Sequence, residues 1–71
     1  MSKLRTTYEQ QLISLKQEAR DPATTVRSLS NIELLLAINY YLHYFNCEMW
    51  TTDELLNIEL RLNYEAGAIR T

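Results

Sequence analysis

Ser30–Asn46, SNIELLLAINYYLHYFN, is the stretch that decides the fold. At about 100° per residue it reads as a helix, with Leu34, Leu35, Ile38, Tyr41, Leu42 and Phe45 on one broad face. Leu36, Ala37, Tyr40 and Tyr44 fall on the other face, and only Glu33, Asn39 and His43 interrupt the apolar surface. A helix that is apolar nearly all round is normally buried on every side. Two neighbouring helices of a small domain cannot enclose it, so part of its cover is expected from outside the chain.

The helix opens with a strong signal. Ser30 followed by Glu33 is a capping box, and Leu29 and Leu34 occupy the staple positions around it. The same grammar recurs downstream, where Thr51 caps, Glu54 closes the box, and Trp50 and Leu55 form the staple. The second helix is therefore expected over 31–46, ending at Asn46, a residue that tolerates the left-handed conformation. The third is expected over 52–66, with Gly67 as terminator. The short link between them makes the two an antiparallel hairpin.

Upstream, Leu4, Tyr8, Leu12, Leu15 and Ala19 form a narrow stripe at helical spacing, which predicts a one-sided amphipathic helix over 2–19 with Ser2 as its cap. Residues 20–30 are a connector, in which Asp21 and Pro22 could start a single helical turn. The expected fold is all-α: a three-helix bundle occupying 1–71 as one domain, with the first helix packed on the capped hairpin.

At 71 residues the chain buries only roughly 60% of the surface it exposes when unfolded. Below roughly 70–80 residues, stability usually comes from disulfides, a metal or association. Cys47 and His43 are single residues of their kinds, so neither an internal disulfide nor a four-ligand structural zinc is expected. Association is the remaining route. The N-terminus lacks the apolar core of a signal peptide and no run is long enough to span a bilayer, which together with the lone cysteine points to the cytoplasm.

Charge is distributed unevenly. Residues 1–27 carry five basic and three acidic groups, a net of +2; residues 28–71 carry two basic and six acidic groups, a net of −4. Nucleic-acid backbones call for dense Lys and Arg on one face, and this pattern argues against them as partners.

The hairpin has a second apolar surface. Leu56, Leu60 and Tyr64 repeat every four residues, off the Leu55, Ile58, Leu62, Ala66 and Ile69 stripe assigned to the core. Together with Leu36, Tyr40 and Tyr44 they form the expected protein-interaction surface, unless the first helix covers them. Cys47 follows His43 by four residues, but it falls at or beyond the helix end and no oxyanion-hole glycines or helix N-terminus lie nearby, so no catalytic role is expected and Cys47 reads as a small buried hydrophobe.

A competing site lies in the connector. Lys16, Arg20 and Arg27 bracket Thr24, Thr25, Ser28 and Ser30 just before a helix start, the elements of an anion site, with Tyr8 available to stack on a base. No glycine-rich phosphate loop accompanies them.

The sequence thus points to a non-enzymatic regulator, adaptor or inhibitor that needs no cofactor or metal. It is expected to bind itself, forming a homo-oligomer, or a host or cellular protein, with neither nucleic acid nor membrane as partner. The alternative is an oligomer that sequesters an anionic small molecule such as a nucleotide between subunits. By analogy alone, small free-standing proteins of this profile often come from phages or mobile elements.

Overall fold

The computed structural model describes residues 3–23 and 25–68, the side chains of 66–68 excepted. The molecule is all-helical: α1 Lys3–Glu18, a 3-10 turn Val26–Ser28, α2 Asn31–Tyr44 and α3 Thr52–Ala68. No helix among the described residues is long and apolar enough to cross a membrane.

The central helix is α2. Its Leu34, Ile38 and Tyr41 pack with Leu12 of α1 and Val26 of the connector, all buried. Its Leu35 packs with Leu55 and Leu62 of α3, with Leu4, Tyr8, Trp50 and Ile58 closing over them. The two faces correspond to the two halves of the broad stripe read from the sequence, each half meeting a different neighbour.

The connector's course follows from the helix directions. Arg5 near the start of α1 bonds Asn31 and the Leu29 carbonyl, while Lys16 near its end lies over Tyr41. So α1 and α2 run side by side in the same direction, and residues 20–30 must return along the length of α1. Val26, 2% exposed, anchors that return in the core. By contrast α2 and α3 are antiparallel, tied by Asn31 to Asn63 at one end and Asn39 to Trp50 at the other.

Both capping boxes form. The Glu33 N–H donates to Ser30 Oγ at 3.2 Å and the Ser30 N–H donates to the Glu33 carboxylate at 2.8 Å. Those bonds hold the Glu33 carboxyl below its usual range, the Ser30 backbone N–H contributing most. The Glu54 N–H to Thr51 Oγ1 and the Thr51 N–H to the Glu54 carboxylate repeat the pattern at 3.2 and 2.8 Å. Leu29 and Trp50, the outer staple residues, both pack against the core.

Helix ends depart from expectation by a few residues. α2 stops at Tyr44, two residues early, because Asn46 takes a left-handed φ of 57°. There the Cys47 N–H reaches the Leu42 carbonyl and the Asn46 N–H that of His43, the paired bonds of a Schellman cap. α1 ends the same way, with Arg20 at φ 62° and bonds from Asp21 to Lys16 and from Arg20 to Gln17. α3 runs through Gly67 to Ala68 instead of ending at 66. An interior glycine costs only about 1 kcal/mol against alanine, and without a left-handed φ it does not terminate a helix. The helical turn of the connector forms at Val26–Ser28 and not at Pro22. Ser2 and Ile69 lie outside the described residues.

Candidate interaction surface

α1 does not cover the second apolar face. Leu36, Tyr40, Tyr44, Leu56, Leu60 and Tyr64 are 52–78% exposed, and it is their grouping on one hairpin, not the exposure of any one of them, that marks an interaction surface. Met49 in the α2–α3 link, which the sequence did not single out, is exposed as well.

Their placement follows from the contacts around them. Asn31–Asn63 and Asn39–Trp50 mark the side on which α2 and α3 meet, and Leu34, Ile38 and Tyr41 mark the side facing α1. Counting about 100° per residue from these marks, Leu36 and Leu56 flank the seam of the hairpin on the side away from α1, and Leu60 lies further round α3, toward the edge where Leu4 of α1 stands. Tyr40 and Tyr64 lie next outward, and Tyr44 furthest round. The tyrosine rings of α2 rest edge-on against their neighbours, Tyr40 on Tyr41 at 5.3 Å and Tyr44 on Phe45 at 5.0 Å between centroids. Such pairs restrict the rings while leaving their outer edges free.

The face continues into a cleft. Leu4 from α1 meets Leu60, Arg61, Tyr64 and Glu65 of α3 around a space of about 470 Å³. The Glu65 carboxylate accepts from the Leu4 N–H at 3.2 Å, which ties the start of α1 to the cleft wall. Its walls are apolar side chains, with Arg61 and Glu65 as the charged members.

The connector residues are dispersed by the fold. Tyr8 packs edge-on to Trp50 at 5.8 Å, beside the hairpin core. Lys16 is two helical turns further on, roughly 12 Å along α1, with its ammonium 5.5 Å from the Tyr41 ring centre. Arg20, Thr25 and Arg27 are exposed, and Thr24 lies outside the described residues. The Thr25 carbonyl accepts from both the N–H and the hydroxyl of Ser28, and Ser30 is engaged in its cap.

Asp21 has a role of its own. Its carboxylate accepts from the Tyr41 hydroxyl at 2.6 Å. That bond, and after it burial, pushes the Tyr41 phenol up from its ordinary 10.0 to about 12. His43 is exposed, and so is Cys47, contrary to its expected burial. The cysteine lies beyond the Schellman cap in the link, where its Sγ is 3.8 Å from the Phe45 carbonyl.

Sequence reasoning missed three polar anchors. Asn39, read as an interruption, is buried and pairs with the Trp50 backbone. Arg5 fixes the end of the connector through Leu29 and Asn31 while pairing with Glu9 at 2.8 Å. Asp21, read as a cap, holds Tyr41. For Asn39 the one signal was a polar residue inside an apolar helix; Arg5 and Asp21, outside the core stripes, gave none. No protein-family model, curated protein or solved structure matches this chain.

Proposed function

We propose that this protein is a non-enzymatic interaction protein, a regulator, adaptor or inhibitor that binds protein through the Leu/Tyr face of its helical hairpin. The observation that carries this reading is the exposure of Leu36, Tyr40, Tyr44, Leu56, Leu60 and Tyr64 while both core clusters close without them. Half of the face is tyrosine, a residue enriched at interfaces and binding hot spots because it adds contact area and a hydrogen-bonding tip at low entropic cost. The partner is a protein surface, either another copy of this chain or a cellular or host protein.

An inter-subunit site for an anionic small molecule such as a nucleotide is the lesser reading. Its support is that Arg20 and Arg27 are both exposed cations of the connector; Tyr8 and Lys16 are occupied elsewhere in the fold.

Two sets of variants separate the readings. Tyr44→Ala or Leu60→Asp should abolish association or activity with helical content nearly native. Lys16→Ala, Arg20→Ala and Arg27→Ala should leave association intact. Loss of activity in the second set alone, with a nucleotide raising the melting temperature of the wild type, would replace the first reading by the second.

A further inference from the structure

We infer that the occupant of the Leu/Tyr face is the same face of a second copy of this chain, an inference that rests on the interaction reading above. Four observations carry it. The first is area. The three tyrosines are 61–78% exposed, and at about 150–250 Å² for a whole aromatic side chain they offer on the order of 400 Å². The three leucines, 52–67% exposed, bring the patch to roughly 600 Å², the upper end of what monomers leave bare. With its rim it approaches the roughly 800 Å² that each partner contributes to a standard interface.

The second is shape. The molecule measures 39 × 27 × 15 Å and its radius of gyration is 12.3 Å, against about 11 Å for a compact domain of 71 residues. It is a thin slab, with one broad side of the hairpin covered by α1 and the other bare. A second slab laid on the bare side would complete the layered core that stable domains have.

The third is charge. Among the six face residues none is ionisable at neutral pH, so apposing the face with itself brings no like charges together at its centre. Glu33 and Asp53 fall within the two stripes one turn before Leu36 and Leu56; both are exposed, so solvent and salt keep their repulsion weak.

The fourth is the pattern of the two stripes. Leu36, Tyr40, Tyr44 and Leu56, Leu60, Tyr64 have the same spacing and each runs from leucine to tyrosine, on helices pointing opposite ways. The leucines at positions 36 and 56 therefore fall near the middle of the hairpin and the tyrosines toward its two ends. A two-fold contact needs such a self-complementary surface. Turning one hairpin end for end on the other sets leucine on leucine at the axis. It also brings the Tyr40–Tyr44 end of each copy over the end that carries the Leu60–Tyr64 cleft of its mate.

The test uses the full chain in a Cys47→Ser background, with Leu36→Cys near the expected axis and Gln10→Cys on the exposed side of α1 as control. A short bismaleimide should link Leu36→Cys chains in pairs and leave Gln10→Cys chains single. Light scattering should give a wild-type mass of twice 8.4 kDa, or an even multiple of it. Leu36→Asp should weaken the pairing by about tenfold or more with helical content retained. Added salt should leave it unchanged or tighten it by screening Glu33 and Asp53.

A wild type that stays at 8.4 kDa at every concentration would overturn self-pairing. It would leave the face open to a foreign protein, so the reading of the face itself would stand. An odd multiple, or equal linking at Gln10→Cys, would overturn the two-fold contact. Association untouched by Leu36→Asp, or loss of helix in that variant, would overturn both.

Discussion

Asn39 and Trp50 are joined by a reciprocal pair of hydrogen bonds: the Trp50 N–H donates to Asn39 Oδ1 at 2.8 Å and Asn39 Nδ2 donates to the Trp50 carbonyl at 3.1 Å. The side-chain amide thus satisfies both backbone groups of the residue just before the α3 cap. It clamps the α2–α3 link and sets Trp50 where its ring meets Tyr8. Among the described residues no buried side-chain polar atom lacks a partner, and the burial of Asn39 depends on this pairing.

Replacing Asn39 by leucine should therefore destabilise the protein despite making the core more apolar. The exchange strips both Trp50 backbone groups of their partner in a partly buried setting, at about 1–3 kcal/mol for each group left unsatisfied. Chemical denaturation of the Asn39→Leu variant checks this; stability equal to wild type would mean water replaces the amide without loss.

The caps give a second prediction. Ser30→Ala and Thr51→Ala should each cost about 0.5–2 kcal/mol through the lost cap bond. Thermal unfolding measures it, with a clear fall in melting temperature expected in both variants.

Arg20 yields a substitution of opposite sign. It holds a left-handed φ of 62° at the end of α1, which costs a residue with a Cβ about 1–2 kcal/mol and glycine little. Arg20→Gly should stabilise by a part of that amount, since glycine also gains freedom in the unfolded chain. A lower melting temperature would show that the Arg20 side chain contributes more than its backbone strain costs.

Stability should also respond to pH on both flanks. Tyr41 has its phenol raised from 10.0 to about 12 in the folded state, so its contribution is complete below pH 10 and is lost as pH rises through 12. Glu33 is lowered, so its contribution is present above the ordinary carboxylate range and is lost as pH falls through the depressed value. Tyrosine absorbance during alkaline titration should show one phenol ionising late, with that late step absent in Tyr41→Phe.

What the sequence made legible was local. The capping boxes at Ser30–Glu33 and Thr51–Glu54 and the leucine stripes of all three helices are written in residues three or four apart, and the structure contains them. The exposed face was legible for the same reason, as apolar residues left over once the core stripe was assigned. Its bareness was not, because only the packing of α1 decides which face is covered. The polar anchors were hidden because each joins residues far apart in sequence. Asn39 to Trp50, Arg5 to Asn31 and Asp21 to Tyr41 exist only once the helices are in place. Arg20 was hidden differently: a left-handed arginine runs against its own preference, and the Schellman bonds of α1 impose it.

The central claim is that the Leu/Tyr face pairs with a second copy while the core stays closed within one chain. Methyl NMR of leucine-labelled protein over a dilution series tests it most directly. The account predicts that the signals of Leu36, Leu56 and Leu60 move with concentration while those of Leu12, Leu34, Leu35 and Leu62, all buried, stay fixed. Face methyls that hold still at every concentration, or core methyls that move with them, would contradict it.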